Sequence, residues 1–267
     1  MRPASDIRRA QVLVEAGWSL LSAAEEVGLA RATIRAWRDQ DFNRLIASRQ
    51  ATHPNLGPGD EPDRLDVGSP GTHACVAASL AEAAPEAHAY LFGQYLGDGT
   101  VRLMPKAVYK LRIFCCSHYP GIIGRCVATA RAVLPRKVAT SKVPDVNMVT
   151  VVSHWKHMRC LFPQDGPGCK HDRLIILDDW QNEIVLAHPQ RFLRGLIESD
   201  GCRVINRVNG GEYPRYLFTN HSDDIRGLYA RTLDQLGVHW TTANSRNIAV
   251  SRRPDVEHLD AFIGPKW

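Results

Sequence analysis

Two aspartates, Asp98 and Asp200, carry the clearest chemical signal in this sequence, because each ends a helix-like apolar segment and is followed directly by a glycine. A carboxylate at the C-terminal end of a helix faces the negative end of the helix dipole, which costs roughly some tenths of a kcal/mol. Two such carboxylates side by side are stabilised when a divalent cation lies between them, and Mg²⁺ prefers carboxylate, carbonyl and water oxygens. The pair therefore predicts metal-assisted hydrolysis of a phosphodiester bond. We expect Gly99 and Gly201 to leave their helices with positive φ.

Small residues recur on the segments that precede the two aspartates. Gly93 and Gly97 lie four positions apart, and so do Gly195 and Ser199. Residues at this spacing share one face of a helix, so each helix presents a stripe of small side chains. Two such stripes allow helix backbones to approach closely, and we expect this contact to bring the two aspartates together at a subdomain interface.

Both segments match one known motif. Leu193–Gly201 reads LRGLIESDG and agrees with LAGLIDADG at six of nine positions, whereas Leu91–Gly99 reads LFGQYLGDG and agrees at four. The chain resembles the LAGLIDADG (DOD-type) homing endonucleases in their single-chain form with two repeats. Its tail, from Ser251 to Lys266, resembles the end of bacterial members of this family.

The resemblance implies a specific active site. In homing endonucleases of this family the last acidic residue of each motif is catalytic and binds the metal, which here implicates Asp98 and Asp200. Backbone carbonyls of Gly97 and Ser199 would complete the set around Mg²⁺ or Mn²⁺, without a nucleotide cofactor. The resemblance also implies a monomer whose two four-stranded sheets lie in the major groove of double-stranded DNA.

The order of elements around the two motifs repeats. We predict helix, strand, strand, helix, strand, strand and helix in each repeat, over about residues 87–160 and 187–265. This order predicts an α+β fold with two pseudo-symmetric LAGLIDADG repeats that form one endonuclease-like domain, residues 87–265. An acidic segment rich in Pro and Gly, residues 51–84, predicts a flexible linker between this domain and a small all-α head, residues 5–48.

The head is predicted to contain three helices, Ile7–Ala16, Leu20–Val27 and Ala30–Asp39, with Gly28 in the turn before the third. This arrangement resembles the helix-turn-helix DNA-binding domains of resolvases, transposases and bacterial regulators. The alternative is an ordinary three-helix interaction domain with solvated arginines. The residues of the third helix that would contact phosphates or base edges are Arg31, Thr33, Arg35 and Arg38.

Positive charge is concentrated in the predicted endonuclease-like domain. The chain has a formal net charge of +5, and residues 87–267 carry +8 whereas residues 51–86 carry −5. Strand alternation would place some of the basic residues that follow the two motifs on a face that contacts DNA; a solvated sheet face is the alternative. These residues are Arg102, Lys110 and Arg112 after the first motif, and Arg203, Arg207 and Arg215 after the second.

The chain shows no sign of export or membrane insertion. Met1–Gln11 is polar and charged, and no stretch approaches the length of an apolar membrane span. The seven cysteines are an odd number, which favours free thiols over a disulfide framework. We expect a reduced cytoplasmic protein with no membrane partner, associated with the nucleoid when it is bound to DNA.

A second group of potential metal ligands occupies eighteen positions, from the end of the first repeat into the connection that follows it. It matches no common zinc-finger spacing, so we assign it no role and expect Mg²⁺ or Mn²⁺ rather than zinc as the cofactor. The group comprises His154, His157, Cys160, Cys169 and His171.

The motifs favour a site-specific, metal-dependent DNA endonuclease. The alternative is a non-catalytic transcriptional regulator that reuses the LAGLIDADG fold, and a maturase acting on RNA shares the same fold. The terminal Cys or Ser and the His-Asn pair that intein splicing needs are not evident. The basic residue that assists the metal-bound water in this family cannot be placed by spacing, although Lys142 and Arg246 are candidates.

Overall fold

The computed structural model describes residues 78–267, with the exception of Pro167, and ten residues between positions 7 and 35. The chain divides into two compact units, and each is described by itself below. One comprises residues 1–67 and 166–175, and the other comprises residues 68–165 and 176–267.

The smaller unit has a core formed by the predicted head. The described residues of the three predicted helices are all helical. They pack into one cluster of buried Ile7, Ala10, Ala23, Ala24 and Ile34, with Leu13, Val14 and Val27 against it. Arg35 is helical and exposed. Arg31, Thr33 and Arg38 lie outside the described residues, so the DNA-contacting role of the third helix stays a prediction.

The larger unit contains the two predicted repeats. The first repeat consists of α1 (Pro85–Asp98), β1 (Gly99–Met104), β2 (Val108–Cys116), α2 (Pro120–Val133), β3 (Val138–Lys142), β4 (Met148–Trp155) and the short α3 (Met158–Leu161). Helix α4 (Asp179–Ala187) precedes the second repeat. The second repeat consists of α5 (Pro189–Asp200), β5 (Gly201–Val208), β6 (Gly211–Thr219), α6 (Asp223–Gln235), β7 (Thr241–Asn244), β8 (Asn247–Val250) and α7 (Arg253–Asp260).

Each repeat forms one antiparallel sheet of four strands, in the orders β1-β2-β4-β3 and β5-β6-β8-β7. In both sheets the second strand is central and pairs with the first and fourth strands of its repeat. The predicted α+β fold with two pseudo-symmetric repeats is confirmed. Buried aromatic and aliphatic side chains of each sheet pack under the helices, as Phe218 does against Tyr229 of α6, with ring centroids 4.2 Å apart.

The predicted order of elements included four strands in each repeat, but the sequence did not locate β3 or β7. β3 and β7 are edge strands that expose almost every side chain, so neither has the apolar alternation that reveals a strand. α4 was also missed. Residues 78–83 are helical although they fall within the segment predicted as linker, and Ala81 is fully buried.

Six of the seven cysteines lie in the described part of the chain. Cys115 and Cys126 are buried with their sulfur atoms 3.8 Å apart, and each of the six described cysteines is a free thiol. Within this part of the chain, no helix combines the length and apolar character that crossing a lipid bilayer requires.

Candidate active site at the ends of two paired helices

α1 and α5 touch through their backbones, as the small-residue stripes predicted. A Cβ atom added at Gly93 would lie 2.5 Å from the carbonyl oxygen of Phe192 and 3.0 Å from the Cα atom of Gly195. A Cβ atom at Gly195 would likewise collide with the carbonyl oxygen of Tyr90. Since the obstructing atoms belong to backbone, any larger residue at either glycine must separate the helices.

The close approach continues to the C-terminal ends, where the two aspartates lie. Gly97 faces Ser199, and a Cβ atom at Gly97 would collide with the Ser199 side chain and lie 3.2 Å from Oδ2 of Asp200. Asp98 and Asp200 are the last residues of α1 and α5, and both are half-buried. The helix pairing therefore places both motif ends at one site.

The glycines after the aspartates serve a purpose other than the predicted one. Gly99 and Gly201 have φ of −91° and −107°, so the expected positive φ is wrong. A Cβ atom at Gly99 would lie 2.5 Å from the Cα atom of Tyr95, and one at Gly201 would lie 2.9 Å from the Cα atom of Ile197. Each strand thus folds back tightly over the last turn of its helix, and steric room is the reason for glycine.

The Asp200 carboxylate is fixed by a side chain that follows β6. Nδ2 of Asn220 donates a hydrogen bond to Oδ2 of Asp200 at 2.6 Å. Oδ1 of Asn220 accepts from the backbone N–H of Ser222 at 2.7 Å, and this bond sets the direction in which the Asn220 amide points. Asn220 therefore orients one of the two acidic groups.

Lys266 brings a basic group close to the two acids. Its Nζ donates to the backbone carbonyl oxygen of Ser199 at 3.3 Å. Burial lowers the pKa of the Lys266 amine, while the neighbouring carboxylates of Asp98 and Asp200 act in the opposite direction. One amine thus lies within electrostatic reach of both acidic groups.

The sequence gives no signal for this lysine, because Lys266 lies far beyond the second motif and only folding brings its amine to Ser199. The candidates Lys142 and Arg246 are exposed residues on β3 and between β7 and β8.

The oxygen atoms at this site fit a hard divalent cation. Asp98 and Asp200 supply carboxylates, and the ends of α1 and α5 supply the carbonyls of Gly97 and Ser199. The Ser199 hydroxyl bonds to carbonyls within its own helix, at 3.0 Å from both Gly195 and Leu196, so it is occupied. The donor set is therefore carboxylate and carbonyl oxygen, as Mg²⁺ or Mn²⁺ requires.

A buried acid links three helices beside the site, and sequence reasoning missed its role. Glu198 accepts from the Tyr90 hydroxyl at 2.5 Å and from Arg194 at 2.8 Å. It also accepts two bonds from Arg125 of α2, at 2.7 and 3.3 Å. Burial, followed by the nearby Cys126 and Glu198, raises the pKa of Tyr90 well above its usual value. This network fixes α1, α2 and α5 relative to one another.

The basic residues predicted after the first motif share one face of their sheet. Arg102 and Lys110 are cross-strand partners on β1 and β2, and His154 lies opposite Lys110 on β4. Arg112 lies on the same face, with its guanidinium 5.3 Å from the ring centroid of Phe114. Its Nε is buried and has no hydrogen-bond partner. The opposite face carries the buried residues Val101, Leu111, Ile113 and Val151.

The three arginines predicted after the second motif separate onto two faces. Arg203 lies on the face that packs against α7, where it forms a bidentate pair with Asp260 at 2.7 and 2.8 Å. Arg207 shares that face and pairs with Glu212 at 3.0 Å. Arg215 lies on the other face, and its Nε is buried without a hydrogen-bond partner. Of these three arginines, Arg215 lies on the face of the second sheet that corresponds to the basic face of the first.

The second group of potential metal ligands, to which the sequence gave no role, is divided between the two units, with Cys169 and His171 in the smaller one. Among the described residues, the group whose ligand atoms lie within 4.8 Å of one another consists of Cys169, His171 and Asp172, all exposed. His157 instead packs edge-on against Trp155, with ring centroids 5.4 Å apart. Burial raises the pKa of the Cys160 thiol, which disfavours the thiolate that binds zinc.

Comparison with known proteins gives structural neighbours only. No protein-family model matches the chain, and no curated protein matches its sequence. One solved structure is the N-terminal LAGLIDADG domain of WhiA, with 12% identity and a TM-score of 0.45 over 73% of this chain and 93% of that chain. A variant of I-DmoI in complex with its target DNA and manganese has 17% identity and a TM-score of 0.47 over 68% and 97%. I-WcaI bound to its DNA recognition sequence has 13% identity and a TM-score of 0.43 over 68% and 81%. The solved structures to which this chain is similar include LAGLIDADG homing endonucleases and the LAGLIDADG domain of WhiA.

Proposed function

We propose that the chain is a site-specific endonuclease of double-stranded DNA that uses a divalent cation, Mg²⁺ or Mn²⁺. The observation that carries the proposal is the meeting of Asp98, Asp200 and Lys266 at the ends of two helices in backbone contact. Two acids that adjoin one amine form a site for phosphodiester hydrolysis, since the acids hold the metal and the amine assists with charge or a proton.

Each residue of the site has a separate task. Asp98 and Asp200 hold the cation, together with carbonyl oxygens of Gly97 and Ser199. The bound cation supplies activation of water and stabilisation of the leaving oxygen. Asn220 keeps the Asp200 carboxylate in one orientation, which preserves the donor geometry.

Lys266 acts beside the metal ligands in the proposed reaction. Its amine donates to the Ser199 carbonyl and interacts electrostatically with both acids. There it orients the attacking water or takes up its proton, and burial, which lowers the pKa of the Lys266 amine, favours the second role. The chain supplies both acids itself, so we propose that it acts as a monomer.

DNA would lie on the sheet faces that turn away from the helices. Arg102, Lys110 and Arg112 lie on that face of the first sheet, and Arg215 lies on that face of the second. Arg112 and Arg215 are half-buried in these faces, and their guanidinium groups are of the kind that donates to phosphate and base acceptors. Arg203 and Arg207 pair with carboxylates on the other face, so we leave them out of the proposed DNA contacts.

The experiment that tests the proposal is cleavage of a randomised library of double-stranded DNA by the full chain with Mg²⁺. Products with ends at one recurring sequence are expected. Site-selective binding without any cleavage under the same conditions would overturn the nuclease and favour the regulator that reuses this fold. Absence of both binding and cleavage would reject DNA as the partner.

A further inference from the structure

The segment that carries Lys266 crosses from the second repeat to α2 of the first. The backbone N–H of Gly121, in the first turn of α2, donates to the carbonyl oxygen of Trp267 at 3.0 Å. A Cβ atom at Gly121 would lie 2.5 Å from a carbon atom of the Trp267 ring. The absence of a side chain at Gly121 therefore creates the space in which the indole lies.

Arg125 holds the indole from a second direction. Its guanidinium lies over the Trp267 ring, 5.4 Å from the ring centroid, which is a cation–π contact. The same guanidinium donates two hydrogen bonds to buried Glu198. Because these bonds fix the plane of the guanidinium, Trp267 packs against a rigid surface rather than a mobile side chain.

Trp267 is joined directly to Lys266, so these contacts also limit where the amine can go. A lysine side chain has four rotatable bonds and loses much rotamer entropy when it is fixed. If the backbone were free to move, the single hydrogen bond from Nζ of Lys266 to Ser199, at 3.3 Å, would restrain so long a side chain only weakly. Anchoring Trp267 fixes the backbone next to Lys266 and so restricts the positions that the amine can reach.

We propose that Trp267, packed on Gly121 and Arg125, is a positioning residue that holds the Lys266 amine at the ends of α1 and α5. The inference deepens the proposed endonuclease site and rests on it. Trp267 as a whole residue remains 63% exposed, so its contacts contribute little to the hydrophobic core. We therefore attribute the packing of this large side chain on Gly121 and Arg125 to the placement of Lys266 rather than to a gain in stability.

The test measures the amine directly, in the full chain without DNA or metal. A brief pulse of acetic anhydride acetylates the lysines, and mass spectrometry gives the rate at each of them. The proteins compared are the wild type, Trp267→Ala, Trp267→Phe and Gly121→Ala. We expect faster modification of Lys266 in Trp267→Ala and Gly121→Ala, and a rate near wild type in Trp267→Phe. Lys156, on another part of the chain, should react at one rate throughout. Leu186→Ala, which also removes a large exposed side chain, should leave Lys266 unchanged.

Cleavage kinetics supply the second measurement. If Trp267 positions the amine, Trp267→Ala lowers kcat by about 10²-fold with KM for DNA unchanged, because a displacement of about 1 Å suffices for such a loss. Trp267→Phe should recover most of kcat. Unchanged acetylation of Lys266 in Trp267→Ala overturns the proposal, whatever the kinetics. If the wild type cleaves no DNA, the acetylation rates still decide whether Trp267 holds the amine, and only the endonuclease proposal fails.

Discussion

Asn220 donates from its amide nitrogen to the Asp200 carboxylate across 2.6 Å, and this hydrogen bond restrains one of the two acids of the site. Asn220→Ala frees Asp200 to rotate and should weaken activation by Mg²⁺ by about 10- to 100-fold. The measurement is the Mg²⁺ concentration that gives half-maximal cleavage. Asn182→Ala, an exposed change on α4, is the control. An unchanged Mg²⁺ dependence would show that Asn220 does not orient the acid.

The glycine contact between α1 and α5 should be a main determinant of stability. Gly93→Ala and Gly195→Ala both force a methyl group into backbone atoms of the partner helix. We expect each substitution to lower the free energy of unfolding by about 3 kcal/mol, which is the upper end of the usual range for overpacked cores. Gly227→Ala is the matched control, because its new Cβ atom would meet only a side-chain atom of Arg231 at 3.5 Å. That change should be neutral or stabilising by up to about 1 kcal/mol. Urea unfolding measures all three, and equal effects at Gly93 and Gly227 would contradict the close approach.

Glu198 should be costly to neutralise, because two arginines and a tyrosine depend on its charge. Glu198→Gln leaves Arg125 and Arg194 facing an amide in a buried setting, and breaking such a pair costs about 3–5 kcal/mol. Glu257→Gln removes an exposed partner of Arg253, and exposed pairs contribute at most about 1 kcal/mol. Thermal and urea unfolding should separate the two substitutions clearly. A loss below about 1 kcal/mol at Glu198 would mean that water solvates the network.

His88 should make the fold sensitive to mild acid. It is fully buried on α1, neither ring nitrogen has a hydrogen-bond partner, and burial lowers its pKa to about 3 from 6.5. Below pH 6.5 the unfolded chain binds a proton at His88 that the folded chain does not. Stability is therefore retained above pH 6.5 and lost as the pH falls from 6.5 towards 3.

The size of this effect can be isolated with a variant. Between pH 7.5 and 5.0 the free energy of unfolding of the wild type should fall by about 2 kcal/mol because of His88. The His88→Leu variant should lack this contribution. Comparing urea unfolding at the two pH values removes contributions that both proteins share. Exposed His258→Leu should behave like the wild type. Parallel pH dependence in wild type and His88→Leu would show that His88 gains a proton in the folded state.

The paired helices could be predicted because their determinants are local. The spacing of Gly93 and Gly97, and of Gly195 and Ser199, marks one face of a helix whatever lies around it. Element order followed from hydrophobic periodicity for the same reason. The edge strands β3 and β7 lack that periodicity because most of their side chains are exposed.

The rest of the site depends on contacts that sequence spacing does not encode. Lys266 reaches Ser199 across 67 positions, and only the packed structure brings its amine to the acids. Arg203 and Arg215 follow the same motif, yet strand register places them on opposite faces. Register is fixed by pairing with a distant strand, and a shift of one residue would exchange the two faces.

The most direct measurement compares cleavage and binding at the DNA sequence that the library experiment selects. Asp98→Asn and Asp200→Asn each keep the shape of the side chain and remove one charge, and Asp145→Asn is the matched control. Asp145 is exposed and has φ of 60°, a conformation that asparagine tolerates. The account predicts that either change at the site abolishes cleavage while the duplex is still bound, and that Asp145→Asn cleaves like the wild type. Cleavage that persists in either site variant would contradict a single site formed by both aspartates.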